Sequence, residues 1–258
     1  MTASEPQIRT EDQGGVRIIS MARGKANALD TDFATELHRT ALLAQEDPSV
    51  RGVVLTSASP KIFCGGFDLA ALATADPDTF GRFIRTIETL FFDLFLFGKP
   101  LVAALTGHAV AGGALIAGTT DFRFAAEGSG RIGLPEANLG VHVPRYCLEA
   151  MRVSVGERAL TRWALGGDTI PFAEAKELGA IDAILPAERL LPEAIATAAR
   201  LGTAPSEVYA AIKRDLRGAA AEKARSVLVD GRKAFVDSWF SPIGQKGIAA
   251  TLARLHGG

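Results

Sequence analysis

Two glycine-rich runs carry the backbone groups with the clearest capacity for chemistry. The first is Ile62-Phe63-Cys64-Gly65-Gly66-Phe67-Asp68-Leu69 and the second is Gly107-His108-Ala109-Val110-Ala111-Gly112-Gly113-Ala114. Each run follows a strand-like segment and leads into a segment that has the pattern of a helix start. N–H groups at a helix N-terminus attract negative charge, and two such sets aimed at one point would hold a developing oxyanion. Alternatively, each run is a tight turn in which glycine relieves crowding.

A third run supplies the candidate acid or base. Glu136 follows Pro135 within an apolar string that includes Ile132, Leu134 and Leu139. Burial at that point would disfavour the charged carboxylate, raise its pKa and suit it to proton transfer near neutral pH. Proline followed by glutamate is also an ordinary helix entry, so a surface glutamate that opens a short helix is the alternative interpretation.

Strands alternate with helices in the first part of the chain, which indicates α/β architecture. Asp30 is expected to cap a helix whose apolar residues recur at helical spacing. A long helical pattern covers residues 78–97 and ends at Gly98 and Pro100. The predicted strands occupy Val16–Met21, Gly52–Ser57 and residues 101–106 and 121–125.

The strand signal nearly disappears after about residue 145, apart from a short predicted strand over residues 181–185. Ser154 and Glu157 match a capping box that would open a helix. Further helices fill the rest of the chain, with a break between two of them predicted at Gly218. We therefore predict two regions: an α/β catalytic core over residues 1–195, and a helical region over residues 196–258 that serves subunit assembly.

Composition argues against several classes of protein. The 258 residues are 48% hydrophobic and 22% charged, with a net charge of −1, which is typical of a globular protein with a sizeable core. This charge balance argues against non-specific binding to nucleic acid or to a membrane surface. Residues 1–15 lack the apolar core of a signal peptide, and Cys64 and Cys147 provide neither a disulfide framework nor metal-ligand spacing. We expect a cytoplasmic protein without a bound metal.

Three motifs together resemble the crotonase superfamily, the enoyl-CoA hydratase/isomerase group. They lie at residues 63–69, 107–115 and 133–140, and their order and separation also fit; Asn27-Ala28-Leu29 and Gly179-Ala180-Ile181-Asp182 match as well. The resemblance implies a spiral of repeated ββα units with a helical C-terminal trimerisation region. It further implies a homotrimer or a dimer of trimers, and an acyl-CoA thioester as substrate with no other cofactor.

The resemblance also assigns roles to individual residues. By motif position, the N–H groups of Phe67 and Gly112 would hold the thioester oxygen, in agreement with the oxyanion-hole interpretation of the glycine runs. Lys25 and the backbone just after it would lie near the CoA moiety, although Lys25 is alternatively a solvated loop lysine. The residues assigned to CoA or acyl binding are Lys25, Ala26, Ala28, Gly66, Asp68, Leu69 and Leu115.

Leu115 departs from the pattern of the hydratases in this family. In those enzymes a glutamate occupies this position and a second glutamate matches Glu136. Addition of water benefits from two acid/base groups, whereas one carboxylate suffices to move a proton from C2 of a 3-enoyl-CoA to C4 through a dienolate. The pattern resembles the monofunctional Δ3,Δ2-enoyl-CoA isomerases, and an apolar Leu115 would keep water away from the intermediate.

The leading hypothesis is therefore isomerisation of a 3-enoyl-CoA to the trans-2-enoyl-CoA, with Glu136 as proton shuttle. Its alternatives are hydration of a 2-enoyl-CoA by Glu136 alone and a non-catalytic acyl-CoA-binding protein. A nicotinamide oxidoreductase built on the G-x-G-x-x-G run at residues 128–133 is disfavoured, because Pro135 follows at once and no long helix succeeds it. We interpret that run as a turn, and we expect His142 to be a packed residue with at most a minor role.

Overall fold

The structure, a computed structural model, describes residues 6–256. Residues 1–5, which begin the stretch predicted not to be a signal peptide, lie outside the described residues, as do residues 257 and 258. The described part contains ten strands and twelve helices. Within it, no helix has both the length and the apolar character that crossing a bilayer requires.

The larger of two sheets has six strands, which are parallel except for an antiparallel pair at one edge. Its central strands are continuous apolar runs such as Val53-Val54-Leu55, as expected for strands that are buried on both faces. In spatial order the strands are β1 (Ile8–Gln13), β2 (Val16–Met21), β3 (Gly52–Ser57), β5 (Leu101–Leu105), β7 (Phe122–Ala126) and β10 (Ala183–Leu185).

The smaller sheet has four strands of three residues each, of which three run parallel and the last is antiparallel. The sequence did not indicate these strands, because three residues are too few to display an alternating pattern. In spatial order they are β4 (Ile62–Cys64), β6 (His108–Val110), β8 (Arg131–Gly133) and β9 (Thr169–Pro171).

The chain alternates between the two sheets and so builds a spiral of ββα units. Strands β3 and β4 are followed by α2 (Leu69–Leu72) and α3 (Pro77–Phe95), and β5 and β6 are followed by α4 (Gly112–Thr119). Strands β7 and β8 are followed by α5 (Glu136–Leu139). This arrangement confirms the predicted α/β class and the predicted spiral of ββα units.

Local sequence signals explain where several helices begin. The carboxylate of Asp30 accepts a hydrogen bond of 2.9 Å from the N–H of Phe33, so Asp30 is the N-cap of the first helix, as predicted. The other helices are α1 (Thr31–Glu46), α6 (Arg145–Val155), α7 (Glu157–Ala164), α8 (Phe172–Glu177), α9 (Ala187–Leu201), α10 (Ser206–Ser226), α11 (Leu228–Trp239) and α12 (Pro242–His256).

Two predictions for the C-terminal third are wrong in detail. Ser154 does not cap a helix, because it lies in the last turn of α6, and Gly156 with a φ of +83° separates α6 from α7. The break predicted at Gly218 is absent: α10 continues through it and ends before Val227. A single glycine costs a helix only about 1 kcal/mol, which packing along α10 offsets.

Helix α9 covers one face of the six-stranded sheet. Its residues Leu190, Ala194 and Ala198 form a core cluster with Val54 and Val102 from the central strands. The division predicted between residues 195 and 196 falls within this helix and stays a prediction.

A buried ionic network anchors α10 to the α/β part of the molecule. Asp121, just before β7, accepts a hydrogen bond of 2.7 Å from Nζ of Lys213 and pairs with Arg217 at 3.2 Å. Arg217 also donates to the main-chain oxygens of Phe95 and Thr119. Because buried charges are tolerated only when they are paired, this network fixes the position of α10 against α3, α4 and β7.

Candidate active site

Three adjacent strands bring the three sequence motifs to one edge of the smaller sheet. Strand β4 pairs with β6, and β6 pairs with β8, all in parallel. Because parallel strands end on the same side of their sheet, the segments that begin at Gly65, Ala111 and Leu134 emerge next to each other. The two glycine-rich runs and the segment of Glu136 therefore belong to one site.

The first glycine turn directs the N–H group of Phe67 away from the main-chain ladder. Phe67 and Leu29 form an isolated parallel bridge. In it, the N–H of Leu29 donates to the carbonyl of Gly66 at 2.7 Å, and the N–H of Asp68 donates to the carbonyl of Leu29 at 2.9 Å. The residue between these two bonds has its own N–H on the opposite side. The N–H of Phe67 therefore points away from Leu29. On that side it can donate a hydrogen bond to a ligand.

The second glycine turn does the same for Gly112. Gly112 is the first residue of α4, so its N–H has no acceptor within the helix. The preceding residue, Ala111, adopts a φ of +52° and a ψ of −121°, and its N–H donates to the carbonyl of Gly133 at 2.9 Å. Such a conformation costs a residue other than glycine about 1–3 kcal/mol, and it persists only where the surroundings hold it in place.

The two turns touch each other so closely that side chains larger than hydrogen do not fit. A Cβ atom built on Gly66 would lie 2.9 Å from the Cβ of Ala111 and 3.3 Å from the nitrogen of Gly112. A Cβ atom on Gly113 would lie 2.1 Å from the carbonyl oxygen of Cys64. The two free N–H groups therefore belong to turns in van der Waals contact, and an oxyanion hole requires two such donors close together.

Glu136 is a buried carboxyl group without a partner for one of its oxygens. Its residue is 7% exposed, and among the described residues Oε2 has no hydrogen-bond donor. Burial raises the pKa of the Glu136 carboxyl to about 7, although its own N–H opposes the shift. A group that is half-protonated near neutral pH can both accept and return a proton. The alternative of a surface glutamate is wrong for this side chain, although the residue does open a short helix.

The short helix that carries Glu136 is fixed at both ends. The N–H of Val141 donates to the carbonyl of Glu136 at 3.0 Å, and Gly140 ends the helix in the left-handed conformation. Helix α12 presses on the other side, since a Cβ on Gly247 would lie 2.1 Å from the carbonyl oxygen of Leu139. The C-terminal helix therefore helps to hold the candidate acid or base in place.

Leu115 lies on α4 one turn after the free N–H of Gly112 and is 5% exposed. It borders a small cavity between α3 and α4 whose lining is wholly apolar. A leucine at this point offers neither a proton nor a hydrogen bond, so the cavity contributes no second acid or base. The lining residues around Gly112 are Leu29, Ile87, Leu90, Phe91, Leu115 and Ile116.

A second buried glutamate, Glu88 of α3, is already paired. Arg232 of α11 contacts its carboxylate through Nη2 at 2.7 Å and through Nε at 2.9 and 3.0 Å. Burial raises the pKa of Glu88, and Arg232 opposes that shift. The two residues are 144 positions apart, so the sequence did not reveal that they pair. The available signal was a single carboxylate on the apolar side of an amphipathic helix. Within the described part of the chain, Glu136 therefore differs from Glu88 in having no ion pair.

Helix α11 also supplies an aromatic wall next to the first glycine turn. The ring of Phe67 lies 6.2 Å from that of Phe235 and 6.5 Å from that of Trp239, measured between centroids. Trp239 stacks on Phe80 of α3 at 4.4 Å. Hydrogen bonds of the neighbouring main chain and the packing of the aromatic ring therefore fix the position of Phe67 and the direction of its N–H.

The residues expected near the CoA moiety form one loop, held mainly by its main chain. The carbonyl of Ala26 accepts a bond of 2.8 Å from the N–H of Gly65, and the carbonyl of Ala28 accepts one from Arg23. Lys25 is exposed at the tip of this loop. These contacts tie the loop to the first glycine turn.

Asp68 and its neighbours are more committed to structure than the sequence suggested. The carboxylate of Asp68 caps α2 by accepting a bond of 3.1 Å from the N–H of Ala71, and it pairs with Arg23 at 3.1 Å. Leu69 is half-buried and packs against the main core. Asp68 is therefore placed to orient the loop rather than to present a free charge.

Cys64 and His142 each form a hydrogen bond that holds the local structure. The thiol of Cys64 donates to the carbonyl of Asn27 at 3.1 Å, and burial raises its pKa to about 12, so it is not a nucleophile at neutral pH. His142 is exposed, contrary to the expected packed position, and its main-chain N–H donates to Ser238 at 3.0 Å. Residues 128–130 form a turn before β8, as predicted, and no helix begins there.

The fold and the site define a class of protein. The family model described as enoyl-CoA hydratase/isomerase matches residues 11–252. The chain belongs to this family, which is the crotonase superfamily indicated by its three motifs.

The relatives of this chain include proteins named as isomerases and proteins named as hydratases. The chain is 30% identical over 246 residues to human mitochondrial enoyl-CoA delta isomerase 1, covering 95% of this chain and 80% of the relative. It is 29% identical over 250 residues to a probable enoyl-CoA hydratase of Mycobacterium leprae, covering 93% and 92%. Among solved structures, human mitochondrial delta3-delta2-enoyl-CoA isomerase superimposes with a TM-score of 0.92 at 28% identity, covering 97% of this chain and 98% of that one.

Because the pKa of Glu136 is raised in the folded protein, the free energy of unfolding should depend on pH. The native carboxyl keeps its proton up to about pH 7, whereas the unfolded chain loses it near the ordinary value of 4.5. Stability therefore falls as the pH rises through this window. Glu136→Gln avoids that loss, so we expect its free energy of unfolding to exceed that of the wild type by roughly 3 kcal/mol at pH 8 and by less than about 1 kcal/mol at pH 5.

Urea denaturation of both proteins at the two pH values measures this difference. The matched control is Glu177→Gln, which changes an exposed glutamate and is expected to alter stability by no more than about 0.5 kcal/mol at either pH. Equal stability of wild type and Glu136→Gln at pH 8 would contradict the assignment of a buried carboxyl group with a raised pKa.

Proposed function

We propose that this chain is an enoyl-CoA isomerase that converts a 3-enoyl-CoA to the trans-2-enoyl-CoA. The observation that carries the proposal is the buried carboxyl group of Glu136, whose Oε2 has no donor among the described residues, at the same sheet edge as two free N–H groups. Similarity to human mitochondrial enoyl-CoA delta isomerase 1 supports the same reaction. The proposed chemistry requires no metal and no redox cofactor, since a side chain and two peptide groups perform it.

In the proposed reaction, Glu136 moves one proton and the oxyanion hole holds the resulting charge. The carboxylate removes a proton from C2 of the substrate, and the electrons of that C–H bond form a dienolate whose oxygen accepts hydrogen bonds from Phe67 and Gly112. Such preorganised donors stabilise the developing charge without reorganisation. Glu136 then returns the proton to C4, so that the double bond lies between C2 and C3 and the carboxylate is regenerated.

Leu115 supports isomerisation over hydration. Hydration needs a group to activate water as well as one to protonate carbon, and the position that carries a glutamate in the hydratases carries an apolar side chain here. The dienolate would therefore form beside an apolar cavity wall with which water cannot form a hydrogen bond. Hydration of a 2-enoyl-CoA remains the second candidate, because relatives named as hydratases align over nearly the whole chain.

The CoA portion of the substrate would bind along the loop next to the first glycine turn. We propose that exposed Lys25 meets a phosphate and that the backbone of Ala26 and Ala28 lies along the pantetheine or adenine. Gly66 and Leu69 would line the path to the thioester. Asp68 would act through its pair with Arg23, which fixes the shape of this loop.

An activity assay tests the proposed reaction. Wild-type protein incubated with 3-hexenoyl-CoA should raise the ultraviolet absorbance of the conjugated enoyl thioester. Glu136→Gln should lower kcat by about 10²–10⁴-fold, because a positioned acid/base is lost, while Glu177→Gln should retain wild-type activity. Absence of any rise, with consumption of 2-hexenoyl-CoA instead, would favour hydration; binding of CoA esters without either reaction would favour the non-catalytic alternative.

Substitution of Leu115 tests why one carboxylate suffices. Leu115→Glu should increase the ratio of hydration to isomerisation by about tenfold or more, because it adds a second acid/base group at the oxyanion hole. Leu115→Gln is the matched control, since it has nearly the same size and polarity but cannot ionise. Parallel assays with 2-hexenoyl-CoA and 3-hexenoyl-CoA give the ratio. An equal change in both variants would show that polarity rather than acid/base chemistry is responsible.

We also propose that the chain assembles as a homotrimer or as a dimer of trimers. An exposed apolar stripe on α10 supports an interface: Val208, Ile212 and Leu216 recur every four residues and are 50%, 55% and 73% exposed. Such a stripe is typical of a surface that packs on another helix. Sedimentation equilibrium at micromolar concentration should give three or six times the chain mass, and a monomer would contradict the proposal.

A further inference from the structure

Helix α4 begins with the candidate oxyanion donor and ends in a turn whose carbonyl groups need partners. All eight of its residues, Gly112–Thr119, are buried and none is charged, so water does not satisfy the main-chain carbonyls of its last turn. The hydroxyl groups of Thr119 and Thr120 donate to carbonyls within that turn at 2.7 and 2.8 Å. The carbonyls of Thr119 and Thr120 themselves require donors from outside the helix.

Arg217 of α10 supplies these donors. Its Nη1 donates to the carbonyl of Thr119 at 2.7 Å and its Nη2 to the carbonyl of Thr120 at 3.0 Å. Nη1 also donates to the carbonyl of Phe95, the last residue of α3, at 2.9 Å. A cation at this end of a helix is favourable, because the carbonyls there carry partial negative charge. Arg217 therefore joins the C-terminal ends of α3 and α4 to α10.

We propose that Arg217 is a positioning residue for the oxyanion hole: it holds the C-terminal end of α4 and thereby sets where the N–H of Gly112 lies at the other end. This inference rests on the proposed function, since it concerns the same site. Arg217 acts through α4 and not on the substrate itself. The helical region that was predicted to serve subunit assembly thus contributes to the site as well.

Helix α4 passes a displacement from one end to the other because it is short and closely packed. Its eight residues span about 12 Å. A Cβ atom on Gly118 would lie 2.5 Å from Cε of Met151 on α6, and one on Gly113 would lie 2.1 Å from the carbonyl oxygen of Cys64. Packing this close leaves the helix little room to bend. A shift of its last turn therefore also moves Gly112.

Lys213, one turn earlier on α10, provides a matched comparison. It is buried, pairs at 2.7 Å with Asp121, to which Arg217 is also bound, and donates to the carbonyl of Lys99 at 2.9 Å. Within the part of the chain that the structure describes, its hydrogen bonds do not reach α4. A residue that only anchors α10 should behave like Lys213 when it is replaced. A residue that positions the oxyanion helix should behave differently.

Steady-state kinetics with 3-hexenoyl-CoA separate the two roles. Arg217→Gln should lower kcat about 10- to 100-fold, as small displacements of preorganised groups do. It should change KM by less than about threefold, because oxyanion donors act mainly on the transition state. Lys213→Met should also lose stability in urea, yet keep kcat within about threefold of wild type. Arg217→Lys keeps the cation without the planar fork and should show an intermediate loss of kcat; it replaces Arg217→Gln in the comparison if that variant does not fold.

The carbonyl stretching frequency of bound hexanoyl-CoA, labelled with carbon-13 at C1, gives a second readout that needs no turnover. In wild type, hydrogen bonds from Phe67 and Gly112 should lower this frequency relative to the free ester. Arg217→Gln should reverse part of that shift, because hydrogen bonds weaken steeply when distance and angle depart from their optimum. Lys213→Met should retain the wild-type frequency.

The outcomes separate this inference from the proposed function. Equal effects of the Arg217 variants and Lys213→Met on kcat, or a loss of kcat without a change in carbonyl frequency, would overturn the positioning role and leave isomerisation intact. If wild type binds hexanoyl-CoA but does not isomerise 3-hexenoyl-CoA, the proposed function fails and the carbonyl frequency alone decides the inference. If wild type does not bind hexanoyl-CoA, both are overturned.

Discussion

The rest of the site depends on the close approach of two main-chain turns at the ends of adjacent parallel strands. Gly66 and Gly113 make this approach physically possible, because a Cβ atom at either would collide with the opposite turn. Ala111 accepts an unfavourable conformation as part of the same contact. In the described part of the chain, the N–H groups of Phe67 and Gly112 in these turns have no main-chain acceptor. The unfavourable conformation therefore lies next to two donors that a ligand could bind.

Glu136 adds a second local cost at the same edge of the sheet. Among the residues that the structure describes, its buried carboxyl group has one oxygen without a partner, whereas the carboxylate of the buried Glu88 is paired with Arg232. The contrast distinguishes a carboxylate that holds helices together from one that is free to exchange a proton. The C-terminal helices contact both glutamate sites: α11 supplies Arg232, which pairs with Glu88, and α12 packs against the short helix of Glu136. The stability of the C-terminal part is thereby coupled to the geometry of the site.

Much of the α/β part could be predicted from local patterns, and the short strands could not. Val16–Met21 and Gly52–Ser57 are six-residue strands with clear apolar character, and Asp30 is a strong cap. Strands β4, β6 and β8 have only three residues each, so their pairing arises from the turns of the spiral. The break predicted at Gly218 was wrong because tertiary packing outweighs the small helix penalty of one glycine.

The sequence by itself determined the family, the two glycine turns and the single ionisable group in the third motif, because these are properties of residue type and order. It left open whether Glu136 was buried, and it gave no sign of the pair between Glu88 and Arg232 or of Phe91 in the wall of the cavity. Those features depend on which helices lie against each other across long stretches of chain. Only the tertiary structure decided them, because desolvation, pairing of charges and the depth of a cavity are set by neighbours in space rather than by neighbours in sequence.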